Sequence, residues 1–163
     1  MFFKKIIFIV WLIPFLEGCV PKVYQKQKSV FIVFKTPSFK YADLGFVYEN
    51  SEALKVELYG SGEALVSLSI DNNFICMSLF ECMTPDYFNQ KVLSEYYPKN
   101  ILNNIFRGKK IFNGADSKNS RNGFTQQISK VNKYQIEYSV LNNQILFRDT
   151  INHILIKIKE VNR

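Results

Sequence analysis

The sequence predicts a mainly β protein of the α+β class, in which two short helices interrupt a long series of strands. Nine short segments alternate apolar and polar residues, as strands with one buried face do. Turns rich in Asn, Gly, Ser and Asp separate these segments, which is typical of an antiparallel sheet, sandwich or barrel. Between residues 84 and 108 the apolar spacing changes from two to four, which predicts helices.

The chain begins with a segment that has the pattern of a secretion signal. Two lysines precede an apolar run over residues 6–16, which is too short to span a bilayer as a stable helix. Gly18 and Cys19 follow as a processing site, and the whole segment resembles a bacterial lipoprotein signal. The resemblance implies cleavage before Cys19, which then carries acyl chains such as palmitate. The alternative is an ordinary signal or short anchor in which the cysteine is a coincidence.

The rest of the chain has the size and charge of one basic domain. Removing residues 1–18 from the 163-residue chain leaves 145 residues and lowers the net charge from +7 to +6. The lysines are scattered, so we expect no nucleic-acid partner, although a basic surface suits anionic lipid headgroups or acidic proteins. Residues 19–29 are polar and aperiodic, which predicts a flexible lipidated tether, and residues 30–163 are expected to form a single domain.

The strands are predicted from their alternation. In residues 53–59, for example, Leu54, Val56 and Leu58 share one face, and charged residues occupy the other. A filled core and a ligand cavity produce the same alternation, so the pattern leaves both open. The predicted strands are residues 30–35, 44–48, 53–59, 63–70, 74–79, 125–130, 134–141, 144–148 and 153–161.

The first helix is predicted to begin after Thr84, whose hydroxyl can cap it, with Pro85 and Asp86 in its first turn. Pro98 is expected to end it. Three apolar residues spaced four apart, Phe88, Val92 and Tyr96, form its predicted buried face.

A second short helix is predicted over residues 99–107, with Gly108 as its C-terminal stop. Residues 109–123, rich in Asn, Ser, Gly and charge, are then predicted to form one long mobile loop. The apolar side of the second helix is expected to consist of Ile101, Leu102, Ile105 and Phe106.

Catalytic and metal-binding patterns are weak in this sequence. The single histidine, His153, has no partner at ligand spacing, and Gly60-Ser61-Gly62 lies between two strands rather than at a nucleophile elbow. We therefore expect no enzyme activity, no metal and no cofactor.

Cys76 and Cys82 could form a disulfide if residues 78–80 made a tight hairpin turn, and the periplasm would permit the bond. No Gly, Asn or Asp marks a turn there. Free cysteines packed as small apolar groups are therefore slightly preferred over the bond, and either role is structural.

Several segments, in this order, resemble the LolA/LolB family of lipoprotein carriers and receptors. They are LKVELYGSGEALVSLSI, YYPKNILNNIFRG, QISKVNKYQIEYS, NQILFRD and HILIKIKEV, within residues 30–161. The order of features resembles that of LolB, the outer-membrane receptor of the family. The resemblance implies an incomplete antiparallel β-barrel with a short two-helix lid, inserted mid-chain, around an apolar cavity. The residues expected to line that cavity are Leu54, Val56, Leu58, Leu68, Phe88, Val92, Ile105, Ile136 and Tyr138.

The resemblance also implies a function. The chain would be a monomeric, lipid-anchored outer-membrane lipoprotein that accepts the acyl chains of lipoproteins from a LolA-like periplasmic carrier and inserts the cargo in the outer membrane. Val20, rather than Asp, follows Cys19, which in such pathways favours the outer membrane. The alternative function is that of a structural or assembly lipoprotein of an outer-membrane complex, with a filled β core.

The family exposes an apolar residue on a strand-connecting loop, and the matching residues here are Tyr59, Gly60 and Ser61. The resemblance implies that this loop contacts the membrane, and an interfacial tyrosine is compatible with that role. The alternative is that Tyr59 folds back on its own sheet.

Overall fold

The computed structural model describes residues 23–60, 63–78 and 80–161. Cys19, the signal segment before it and Ser61 lie outside the described residues. Eleven strands form one antiparallel sheet in the order β6-β5-β4-β3-β2-β1-β11-β10-β9-β8-β7. The strands are β1 Lys26–Lys35, β2 Lys40–Glu49, β3 Leu54–Gly60, β4 Glu63–Ile70, β5 Ile75–Met77, β6 Phe80–Met83, β7 Ser117–Ser120, β8 Gly123–Lys130, β9 Tyr134–Leu141, β10 Gln144–Asp149 and β11 Ile154–Glu160.

The sheet is open, because β6 and β7 are its two edges and do not pair with each other. The first and last strands of the chain, β1 and β11, pair in the middle of the sheet, with Ile32 opposite Ile158. Apolar side chains from both halves of the sheet and from the helices form one buried cluster. The mainly β fold, with an incomplete barrel and a short helical insertion, is therefore confirmed.

Two helices lie between β6 and β7: α1 Pro85–Val92 and α2 Ile101–Phe106. Thr84 caps α1, since its Oγ1 accepts a hydrogen bond from the Tyr87 amide at 3.4 Å. All four apolar residues expected on α2 are buried, and Gly108 follows the helix with a φ of +62°. A Cβ at Gly108 would also lie only 3.3 Å from Val140, so the predicted glycine stop is confirmed.

The predicted end of the first helix is wrong. α1 ends at Val92, and residues 93–100 form a connector of turns between the two helices. The spacing of four that predicted a buried Tyr96 applies only within a helix, and Tyr96 lies beyond the end of α1. Tyr96 is therefore 42% exposed, and its neighbour Tyr97 is buried instead.

The predicted loop over residues 109–123 is also wrong. This segment contains a 3-10 turn at Phe112–Gly114 and strand β7. The buried side-chain amide of Gln126 pairs with it, accepting from the Ile111 amide at 2.9 Å and donating to the Ala115 carbonyl at 2.6 Å. Ile111 is fully buried, so this segment is part of the core.

The predicted boundary between tether and domain is wrong, because β1 begins at Lys26 and includes residues that the sequence assigned to the tether. Sheet pairing explains the difference: Lys26 to Ser29 lie opposite residues 46–49 of β2, a pairing that their polar composition does not reveal.

Cys76 and Cys82 form a disulfide, so the slight preference for free cysteines is wrong. The sequence analysis did not predict β6. This strand pairs with β5, places Met77 opposite Phe80 and so brings the two cysteines together. Ser78 stabilises the turn instead of a glycine or asparagine, because its Oγ accepts a hydrogen bond from the Ser67 amide at 3.0 Å.

The strands give the domain two ends. The tether end consists of the N-terminal entry at residues 23–25 and the turns at residues 50–53, 71–74, 121–122 and 142–143. The far end consists of the turns at residues 36–39, 131–133 and 150–153 and the β3–β4 connection after Gly60.

Candidate functional site

The interior under the two helices is apolar and closely packed. The nine residues expected to line a cavity all belong to the single buried cluster, and each is at most 4% exposed. α2 contributes Phe106, whose ring meets that of Phe34 at 6.3 Å between centroids. The structure thus brings the predicted residues together on one side of the sheet, in contact with the helices. We call residues 85–107, which cover this interior, the lid.

A buried hydrogen bond fastens the lid at the far end. Tyr97, in the connector, donates its hydroxyl proton to Oδ2 of Asp149 at the end of β10. Burial and, second, the Asp149 carboxylate raise the pKa of Tyr97 above its ordinary value, so the hydroxyl keeps its proton at physiological pH. The Tyr97 ring also packs edge-on against Phe147 at 5.8 Å. This far-end latch joins the lid to the sheet.

Asp149 is only 1% exposed and also organises the turn after β10. Its Oδ1 accepts hydrogen bonds from the amides of Gln135, Ile151 and Asn152 at 3.1, 3.0 and 3.3 Å. Its Oδ2 accepts from the Asn152 side chain at 2.7 Å. A buried carboxylate with this many donors is well satisfied, and it fixes the acceptor for Tyr97.

A second latch lies at the tether end. Arg107 directly follows α2, and its Nη2 donates to the Ala53 carbonyl at 3.0 Å. Its Nη1 lies 3.5 Å from Oε2 of Glu49, and Nε donates to Asn103 at 2.6 Å. The guanidinium side chain is 11% exposed, so this ion pair is partly shielded from solvent. The two latches thus hold opposite ends of the connector–α2 segment.

Asn89 gives the lid its internal shape. Its Nδ2 donates to the carbonyls of Tyr97 and Pro98 at 3.4 and 3.1 Å, which ties α1 to the end of the connector. α1 and the connector are therefore joined by polar contacts that do not involve the sheet.

A pocket of about 210 Å³ opens at the tether end, beside Arg107. Lys28, Glu49, Arg107 and Glu160 contribute polar groups to its lining, and Lys28 pairs with Glu160 at 2.6 Å. None of the nine predicted cavity residues lines this tether-end pocket. The large apolar residues that line it are Val30, Val47, Phe106, Val140, Leu141, Ile145 and Ile158.

Tyr59 lies within β3 rather than beyond its end. Its ring meets Phe46 edge-on at 5.6 Å, and its hydroxyl donates to Glu57 at 3.0 Å. The hydrogen bond from Lys55 lowers the pKa of Glu57, which therefore stays ionised. Tyr59 thus takes the folded-back position given above as the alternative, although Gly60 does lie at the far end.

Sequence reasoning missed both latches. Asp149 and Tyr97 lie in segments that carry the family resemblance, but their types and spacing did not single them out. Arg107 and Glu49 are 58 positions apart in the chain, and only the sheet brings them together. The available signal was a lone acidic residue at the end of an apolar strand.

Other kinds of site are scarce in the part of the chain that the structure describes. There, no three His, Cys, Asp or Glu side chains are grouped so that they could hold a metal ion. No helix among residues 23–60, 63–78 and 80–161 is both long enough and apolar enough to cross a membrane. Comparison of the whole chain with protein-family models and with curated proteins gives no match.

Proposed function

We propose that this chain is an outer-membrane lipoprotein, anchored through Cys19, that accepts acylated lipoproteins from a LolA-like periplasmic carrier and inserts them in the outer membrane. The observation that carries the proposal is the apolar interior of an open sheet, covered by a lid that two polar latches hold. The lid is a separate segment between β6 and β7, so it could move as a unit, but opening it would also separate its buried apolar side chains from the sheet. The sequence resemblance described above supports the same function.

The apolar interior suits an acyl chain, and the gain on burying one is offset by the apolar lid contacts that it replaces. Burying about 14 methylene groups contributes roughly 11 kcal/mol. Breaking one buried hydrogen bond, such as the one from Tyr97 to Asp149, costs about 1–3 kcal/mol. The interior is filled when the lid is closed, so the acyl chain must replace lid contacts rather than enter an empty space. The tether-end pocket, which shares Phe106 and Ile158 with the buried cluster, is where this replacement would begin.

The proposal is tested with the mature domain carrying Cys19→Ser and a triacylated lipopeptide, by native mass spectrometry. We expect a complex with one lipopeptide and none with the deacylated peptide. Binding of both peptides, or of neither, would contradict acyl recognition. Membrane anchoring is tested separately by fatty-acid labelling of the full chain, which Cys19→Ser should abolish.

Tyr97→Phe should open the far-end latch while keeping the ring. We expect the free energy of unfolding to fall by about 1–3 kcal/mol, because the buried Asp149 loses a donor. Lipopeptide uptake should become faster, since the lid is held less tightly. Tyr96→Phe, at the exposed neighbouring position, is the matched control and should change neither quantity. Uptake that is no faster in Tyr97→Phe would mean that lid opening does not limit binding.

The second candidate function, an assembly lipoprotein with a filled core, has one observation in its favour. The nine residues expected to line a cavity are packed together and buried. A protein of this kind would bind no lipopeptide even with Tyr97→Phe, and it would instead be recovered in a stable complex with an outer-membrane protein.

A further inference from the structure

The chain enters the domain at one end of the sheet and is held there. The Val23 carbonyl accepts a hydrogen bond from Nδ2 of Asn50 at 2.8 Å, and the Gln25 amide donates to the Glu49 carbonyl at 3.0 Å. β1 then begins at Lys26. Among the residues that the structure describes, the first attachment of the chain is therefore Val23, at the tether end.

Few residues separate this attachment from the anchor that we propose. Cys19 precedes Val23 by four residues, and four peptide units extend to about 14 Å at most. The ten residues of β1 span about 30 Å from the tether end towards the far end. An acyl anchor on Cys19 therefore keeps the tether end near the lipid. The far end lies about one strand length away from the tether end, which is farther than the four residues can span.

We infer that the tether end is the surface that faces the membrane, and that the tether-end pocket opens toward the lipid. The inference rests on the proposed anchoring of Cys19. It deepens the proposed function by assigning the route of the cargo acyl chains: they leave beside Phe106 and Arg107 directly into the bilayer to which the protein is tethered. Tyr59 and Gly60, at the far end of β3, then lie on the side of the domain away from this membrane.

The chemistry of the tether end suits a lipid headgroup region. Phe74, in the β4–β5 turn, is 50% exposed, and Val23 is 74% exposed. The charges there are mixed, because Arg121 is accompanied by the acidic residues Glu52 and Asp71. The far end also exposes an apolar residue, Val131, beside Lys130. The length of the anchor, rather than the surface chemistry, therefore distinguishes the two ends.

Tryptophan fluorescence can test the orientation without interference, because the only tryptophan of the sequence, Trp11, lies in the signal segment. Mature lipidated protein is bound to vesicles that contain brominated phospholipid, a short-range quencher. The tether-end reporters are Phe74→Trp and Ser51→Trp. The far-end reporters are Val131→Trp and Ala64→Trp, the latter opposite Tyr59 in the β3–β4 pair. All four positions are exposed, so each variant should fold, and a melting curve checks this.

We expect quenching of both tether-end reporters and none of the far-end reporters. Quenching at the far end instead, or at no position while the protein floats with the vesicles, would overturn the orientation and leave the lipid anchor standing. Protein that neither floats with vesicles nor incorporates a fatty acid would show that the proposed anchoring itself is wrong, and the orientation would fall with it.

Discussion

Asp149→Ala should destabilise the domain by about 3–5 kcal/mol, because several buried donors lose their acceptor together. Asp149 accepts from three backbone amides and from the side chains of Tyr97 and Asn152. Alanine can accept none of these hydrogen bonds, and the site is too buried for water to enter freely. For a domain of this size the melting temperature should fall by about 10–15 °C.

The matched control is Asp86→Ala, at an exposed position in the first turn of α1. Its only expected effect is loss of a favourable interaction with the helix dipole, about 0.3–1 kcal/mol. Chemical denaturation of both variants measures the difference. Equal, small losses would mean that Asp149 does not organise the far end. A large loss for Asp149→Ala alone would establish Asp149 as the residue that organises the far end.

Phe88→Ala should be the other severe change. Phe88 is fully buried on α1, in the cluster that the lid shares with the sheet. Truncating a buried phenylalanine in a packed core costs about 3–5 kcal/mol, through lost transfer energy and the cavity that remains. Tyr87→Ala, one position earlier and 47% exposed, removes an aromatic ring from the same helix and should cost well under half of that.

The effect of added lipopeptide on the stability of Phe88→Ala also separates the two candidate functions. In a filled core the whole penalty appears, and added lipopeptide does not reduce it. In an acyl-binding interior the truncation leaves space that a lipopeptide can fill, so saturating lipopeptide should restore much of the lost stability. A loss below about 1 kcal/mol without ligand would contradict the close packing under the lid.

Residues whose neighbours in the chain determine their structure were predicted well from the sequence. Alternation placed Leu54, Val56 and Leu58 on the buried face of one strand, and it did so correctly because side chains on a strand alternate regardless of their partners. Thr84 and Gly108 marked a helix start and a helix end for equally local reasons.

Several errors occur where a pairing partner, rather than the composition of the segment itself, decides the structure. Lys26 is in a strand because β2 pairs with it, and residues 117–120 are in one because β8 does. Ile111 is buried because Gln126 satisfies its backbone. Composition favoured a tether or a loop in these places, and tertiary hydrogen bonds outweighed that local preference.

The sequence by itself therefore determined the class of the protein: a mainly β domain with two helices inserted mid-chain. Periodicity and capping are properties of consecutive residues, so they can be read without knowing the fold. Only the tertiary structure decided how the lid is fastened. Tyr97 and Asp149 are 52 positions apart, and a hydrogen bond between them depends on the sheet bringing the end of β10 beside the connector.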